Sequence, residues 1–154
     1  NGLIANLEAL HFLKNGDLST AGVLIHEAWH NVSNVSIDRL DIEESIVGRY
    51  SMQIIENLAL YYGLTKDWSQ SVDIFQKAVE LSKQIHRGSL AEALSKYGYV
   101  LLQTGKSEDA IQVLLEAERI NENSTSIDKL REVRKMLAVA YYKRGQYEKS
   151  AYWV

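Results

Sequence analysis

Residues 94–117 read LSKYGYVLLQTGKSEDAIQVLLEA. Two apolar-periodic stretches flank Gly105, the first carrying Leu94, Tyr97, Gly98 and Leu101, the second Ala110, Leu114 and Ala117. Apolar residues at spacings of three and four mark one face of a helix, and a glycine just past such a stretch marks its end. The segment therefore predicts two antiparallel helices joined by a short turn. Gly98 and Ala110 are both small and lie twelve positions apart. Paired small residues let two helices approach closely, with the larger Leu101 filling the space beside the contact.

The same arrangement recurs. Ala9 and Ala21, Ala59 and Ser71, and Ala138 and Ser150 keep the twelve-residue offset, with Phe12, Tyr62 and Tyr141 in the place of Leu101. Gly16, Gly105 and Gly145 stand at three of the turns, where a left-handed C-cap favours glycine. Lys66 stands at the remaining one, so a different turn is expected there. Proline is absent from all 154 residues. Helix interiors tolerate proline least, so its absence fits a chain built of helices. Helices are expected near 2–15, 18–31, 37–64, 68–86, 89–104, 107–121, 126–144 and from 147 onward, the long third one kinked near Gly48.

These residues resemble the tetratricopeptide repeat. The resemblance implies an all-α, right-handed solenoid of antiparallel hairpins, with seven or eight helices in one domain over residues 1–154. Successive second-helix positions Ala21, Ser71, Ala110 and Ser150 are separated by 50, 39 and 40 residues. The standard repeat is about 34 residues and carries a terminal proline. Long repeats without that proline resemble the repeat domains of cytoplasmic peptide-pheromone receptors and transcriptional regulators of Gram-positive bacteria. That resemblance implies a cytoplasmic, ligand-sensing binding scaffold with possible homodimerisation, and no enzyme. A constitutive protein adaptor is the alternative. The chain opens on Asn1 and ends on Tyr152-Trp153-Val154 in mid-pattern, which predicts a fragment of a longer protein.

Composition narrows the chemistry. With no cysteine there is neither a disulfide framework nor a thiolate metal site. No apolar run approaches the roughly 20 residues of a membrane span. A net charge of −3 disfavours nucleic acid, whose binding depends on neutralising phosphates. Asn31, Asn34 and Asn123 head glycosylation sequons, read as chance without a signal peptide. No cofactor is implied.

His26-Glu27-Ala28-Trp29-His30 matches H-E-x-x-H, in which two histidines one turn apart bind zinc and the glutamate acts as base. Ile25 and Ala28 are claimed by the repeat as buried positions, and His26 and His30 fall opposite Ala21, towards solvent. The extended motif needs glycine at 33 and histidine at 36, where Ser33 and Ser36 stand. Only Glu56 lies far enough downstream to imitate the other form. Zinc hydrolysis is thus the remote alternative, and no metal site is expected. His11 and His86 have no evident partners.

Between residues 129 and 149, Lys129, Arg131, Arg134, Lys135, Lys143, Arg144 and Lys149 face only Glu132 and Glu148. Such a cluster is either a solvated face or the anion-attracting end of a groove. In tetratricopeptide proteins the first helix of each repeat lines the concave surface. The resemblance therefore implies a peptide-binding groove of Asn6, Gln53, Glu56, Tyr99, Gln103, Arg131, Lys135, Val139, Tyr142 and Lys143, with Leu60 and Ser95 beside them. Amides suit a peptide backbone and lysine suits a carboxylate.

Overall fold

A computed structural model describes residues 2–33, 44–84, 87–123 and 126–154. Among them are eight α-helices and no strand. In order they are α1 (Gly2–Asn15), α2 (Leu18–Ser33), α3 (Glu44–Thr65), α4 (Trp68–Gln84), α5 (Leu90–Gln103), α6 (Ser107–Glu122), α7 (Ile127–Lys143) and α8 (Tyr147–Tyr152). A short 3₁₀ turn, Arg87–Ser89, leads into α5. The start of the third helix expected at 37–43 lies outside the described residues, as do Asn34 and His86. The chain forms two compact units, Asn1–Arg87 and Gly88–Val154.

Four turns share one construction. The residue at the turn has a positive φ, at Gly16 (79°), Lys66 (58°), Gly105 (78°) and Gly145 (71°). The next amide reaches back to a helical carbonyl: Asp17 to Phe12 (3.0 Å), Asp67 to Tyr62 (2.9 Å), Lys106 to Leu101 (2.9 Å) and Gln146 to Tyr141 (3.0 Å). This is the Schellman closure, which satisfies carbonyls the ending helix would otherwise leave unpaired. The same four residues then accept from Ala21, Ser71, Ala110 and Ser150, opening the second helix. Lys66 was expected to break the pattern and does not. The bonds around it hold it in the left-handed region without glycine's freedom.

The caps differ between units. In the first unit Asp17 Oδ1 accepts from the Thr20 amide at 3.1 Å, and Asp67 Oδ1 from the Gln70 amide at 3.3 Å. Lys106 and Gln146 occupy the equivalent places in the second unit without a side-chain cap. The Thr20 hydroxyl, also bound to Asp17, lowers that carboxyl's pKa together with the amide.

Each unit has its own core. The first buries Ile25, Ile54, Ile55 and Leu58; the second buries Leu94, Leu101, Leu114 and Leu137. Each such side chain contributes roughly 1.5–3 kcal/mol on burial. At Gly98 an added Cβ would lie 2.5 Å from Leu114 Cγ. The atoms that crowd this glycine belong to Leu114, one turn beyond the Ala110 expected from the offset. Ser150 closes the corresponding approach in the last hairpin, its Oγ donating to the Ala138 carbonyl at 2.9 Å.

Two substitutions check this construction by thermal unfolding. Lys66→Gly relieves a left-handed L-residue, which costs about 1–2 kcal/mol, against glycine's greater unfolded freedom. The expected net is a rise of a few degrees in Tm. Gly98→Leu places a large side chain where Leu114 already sits and costs typically 1–3 kcal/mol or more. An unchanged Tm in either variant contradicts the turn or the packing described.

Candidate functional site

The basic cluster resolves into separate pairs. Lys129 donates to Glu92 at 3.2 Å, and Arg134 reaches Glu118 at 2.7 Å and Glu122 at 3.2 Å. Arg144 pairs with Glu108, and Arg131 with Asp128 at 3.1 Å within the first turn of α7. Lys143 Nζ donates to the Leu102 carbonyl at 3.2 Å, and Lys149 lies 5.7 Å from the centre of the Tyr141 ring. Most partners come from α5 and α6, outside the sequence window that holds the excess charge. The cluster's main work is therefore to fasten α7 and the turn after it to the preceding hairpin. Among the described residues Lys135 is left exposed with no carboxylate partner.

Of these pairs Glu118–Arg134 is the most enclosed. Glu118 is only 7% exposed, and Arg134 meets one of its oxygens through two nitrogens. The paired carboxylate holds the Arg134 guanidinium above its ordinary pKa. Glu92 is shifted the other way: its bond with Lys96, opposed by partial burial and aided by Lys129, lowers its pKa. A lowered carboxylate stabilises the fold above its unfolded pKa. That contribution is lost as pH falls through the folded value.

A cleft of about 570 Å³ opens on α7 beside the end of α8, lined by Ile127, Leu130, Arg131, Arg134, Lys135, Ala138, Val139, Trp153 and Val154. It brings together three of the expected site residues, Arg131, Lys135 and Val139. Tyr142 continues their side of α7 and is 64% exposed, its ring 5.3 Å from that of Tyr147. Tyr99 and Gln103 are exposed one turn apart on α5, which packs against α7. Lys143, bonded to Leu102, joins the two helices beside Gln103. Ser95 turns back on its own helix, its Oγ donating to the Ala91 carbonyl at 2.7 Å.

The remaining candidates belong to the first unit. Asn6 is not open to a ligand. It is 1% exposed, and its Oδ1 accepts from Asn57 Nδ2 at 2.9 Å. The amide was placed in a groove by its repeat position. Here a second amide on α3 draws it into the core, because a buried polar group needs a partner. Gln53 and Leu60 are exposed and Glu56 half-buried along α3. Sequence reasoning missed Ile127, Leu130 and Trp153. The signal for Ile127 and Leu130 was a second apolar and basic stripe on α7, at 127, 130, 131, 134, 135, 138 and 139, beside the core stripe of Val133, Leu137 and Ala140.

In the HEAWH segment both His26 nitrogens are engaged. Nδ1 lies 2.6 Å from the Gly22 carbonyl and donates to it, while Nε2 lies 2.7 Å from the Tyr62 hydroxyl. Burial, with Asp67 and Tyr61 nearby, raises the Tyr62 phenol's pKa and keeps it a donor. His26 is exposed, as its place opposite Ala21 predicts, and in addition its Nε2 accepts from the Tyr62 hydroxyl on α3. Glu27 and His30 are exposed. Among the described residues no three His, Cys, Asp or Glu side chains are grouped to hold a metal ion, and no helix is long and apolar enough to cross a membrane.

The ion pairs can be ranked by unfolding. Arg134→Ala leaves the nearly buried Glu118 without its partner, whereas Lys129→Ala leaves Glu92 half-exposed and still bound to Lys96. The expected result is a clearly larger loss of Tm for Arg134→Ala. Equal losses contradict the ranking.

The fold is shared with known proteins. The Tetratricopeptide repeat family model matches residues 50–123. No curated protein matches the chain significantly. Among solved structures, the C-terminal tetratricopeptide-containing domain of a Plasmodium falciparum protein designated FK506-binding is 21% identical, with a TM-score of 0.66 over 96% of this chain and 91% of that one. Kinesin-light-chain-type repeats from Podospora anserina are 14% identical, with a TM-score of 0.55 over 97% and 89%. Residues 50–123 thus match tetratricopeptide repeats in sequence, and the chain's fold is that of helix hairpins of this type.

Proposed function

We propose that the chain is a non-catalytic scaffold that captures a short peptide, or an extended segment of a protein, on the exposed side of α5 and α7. Tetratricopeptide repeats are in general protein-binding scaffolds. The observation that carries the reading is Lys135. Among the described residues it is the cation of the basic cluster with no carboxylate, carbonyl or ring partner, and it stands between exposed Arg131 and Val139 on one side of α7. A carboxylate on the ligand supplies what Lys135 lacks. Tyr99, Val139 and Tyr142 offer flat apolar contact, and Gln103 offers an amide to the ligand backbone. Arg131, held only by an exposed pair to Asp128, is free to turn to the same carboxylate, since such pairs are weak. Lys143 caps α5 and takes a secondary part.

Within this reading the chain is the ligand-sensing part of a bacterial cytoplasmic regulator. The support is the long repeat spacing and the absent proline. Exposed Gln53, with half-buried Glu56 beside it on α3, is a second strip for a ligand of the first unit.

The test is an array of random short peptides with free C-terminal carboxylates, probed with the whole chain, and the same array amidated. Charge-assisted bonds are worth about 1.5–3 kcal/mol. For the peptides retained, Lys135→Ala is therefore expected to weaken binding about tenfold to a hundredfold at low salt, and less as salt screens the attraction. Lys106→Ala, in the turn before α6, is expected to change little. Equal effects of the two substitutions reduce the cluster to diffuse charge and remove the basis of the assignment.

A further inference from the structure

The cores of the two units differ in kind. Among the described residues, the first unit buries five polar side chains, Asn6, Ser51, Asn57, Ser71 and Ser82, and the second buries two, Glu118 and Asn121. Glu118 is held by Arg134 through two nitrogens. In the first unit two enclosed atoms, Asn6 Nδ2 and Ser71 Oγ, have no hydrogen-bond partner among the described residues. The bond from Asn57 uses Asn6 Oδ1 alone, which leaves the Asn6 amide donor over.

Ser71 can be judged against its own repeat position. Ala21, Ser71, Ala110 and Ser150 stand at the same place after the four turns, each amide donating to the carbonyl four residues back. Two of them are alanine. At Ser150 the hydroxyl donates to the Ala138 carbonyl at 2.9 Å. Ser71 is 1% exposed, and its hydroxyl makes no such bond. An alanine fills this place in α2 and α6 without that burden. A buried donor left unmade shifts the balance between closed and open forms about tenfold or more. Lys66, held left-handed at the turn before α4, acts in the same direction. Asn6 Nδ2 and Ser71 Oγ both lie inside the unit, so their cost does not depend on what adjoins the outer face of α1. The second unit has an apolar centre of Leu94, Leu101, Leu114 and Leu137, with Lys129–Glu92, Arg134–Glu118 and Arg144–Glu108 joining its helices.

We infer that the first unit opens on its own, ahead of the second, and that Ser71 and Asn6 keep it near the point of opening. Cooperative units of unequal stability are a common way for a chain to combine a rigid part with a responsive one. The inference goes beyond capture of a peptide on α5 and α7, and no residue of that site enters it. A ligand on α5 and α7 meets a unit already closed. A ligand on the α3 strip, on the reading given above, closes the first unit as it binds, and differential affinity for the closed form is what makes a ligand a switch.

Hydrogen exchange of the whole chain, followed peptide by peptide with no ligand present, is the test. Core amides around Ile54, Ile55 and Leu58 are expected to exchange through one shared opening, about tenfold or more faster than those around Leu94, Leu101 and Leu137. Ser71→Ala is expected to slow the first group about tenfold and to leave the second unchanged. One opening common to both groups overturns the proposal. So does faster exchange in the second group, or a first group that Ser71→Ala leaves as it was. These outcomes are separate from the peptide reading, which stands or falls with Lys135→Ala.

Discussion

Each hairpin depends on the hydrogen bond that carries the chain past a left-handed residue onto the carbonyl of Phe12, Tyr62, Leu101 or Tyr141. The bond does more than close one helix. It fixes the number of residues before the next helix begins, and so which side chains face each other across the pair. With that count constant, Ser150 meets Ala138 across the last hairpin, and Leu114 fills the space above Gly98. Lys66 shows the strength of the constraint. A side chain that disfavours the conformation adopts it because the flanking bonds leave the backbone no alternative.

Charge takes up the work where packing ends. The helices of the second unit are joined along their exposed edges by Lys129–Glu92, Arg134–Glu118 and Arg144–Glu108. The first unit has neutral ties between its helices, Asn57 to Asn6 in the core and Tyr62 to His26 nearer the surface. The difference follows from composition: residues 129–149 are rich in lysine and arginine, whereas the ties named in the first unit are made by histidine, tyrosine and amides. A histidine that matches a metalloprotease motif in sequence is here a link between α2 and α3.

This spending of charge also defines the candidate site. A run of seven basic residues looks like a broad anion-attracting surface, yet its members are drawn off one by one to carboxylates, a helix terminus and a ring. What remains is local: Lys135, with the loosely held Arg131 beside it and an apolar floor below. Selectivity for a carboxylate at one point is a different property from general attraction to anions, and it suits a ligand read by position.

The sequence by itself determined the elements that depend on local physics. The twelve-residue offset, the glycines at three turns, the absent proline and the apolar spacing predicted the hairpins and most of their boundaries, because helix periodicity and C-cap geometry act over a few residues. It also marked Arg131, Lys135 and Tyr142 as one side of one helix. Only the tertiary structure decided which charges are used and which are available, since Glu92, Glu108, Glu118 and Glu122 lie on other helices and their pairing depends on distance in space. The same reason removed Asn6 from the groove: its burial depends on Asn57, fifty-one residues away along the chain and one hydrogen bond away in the fold.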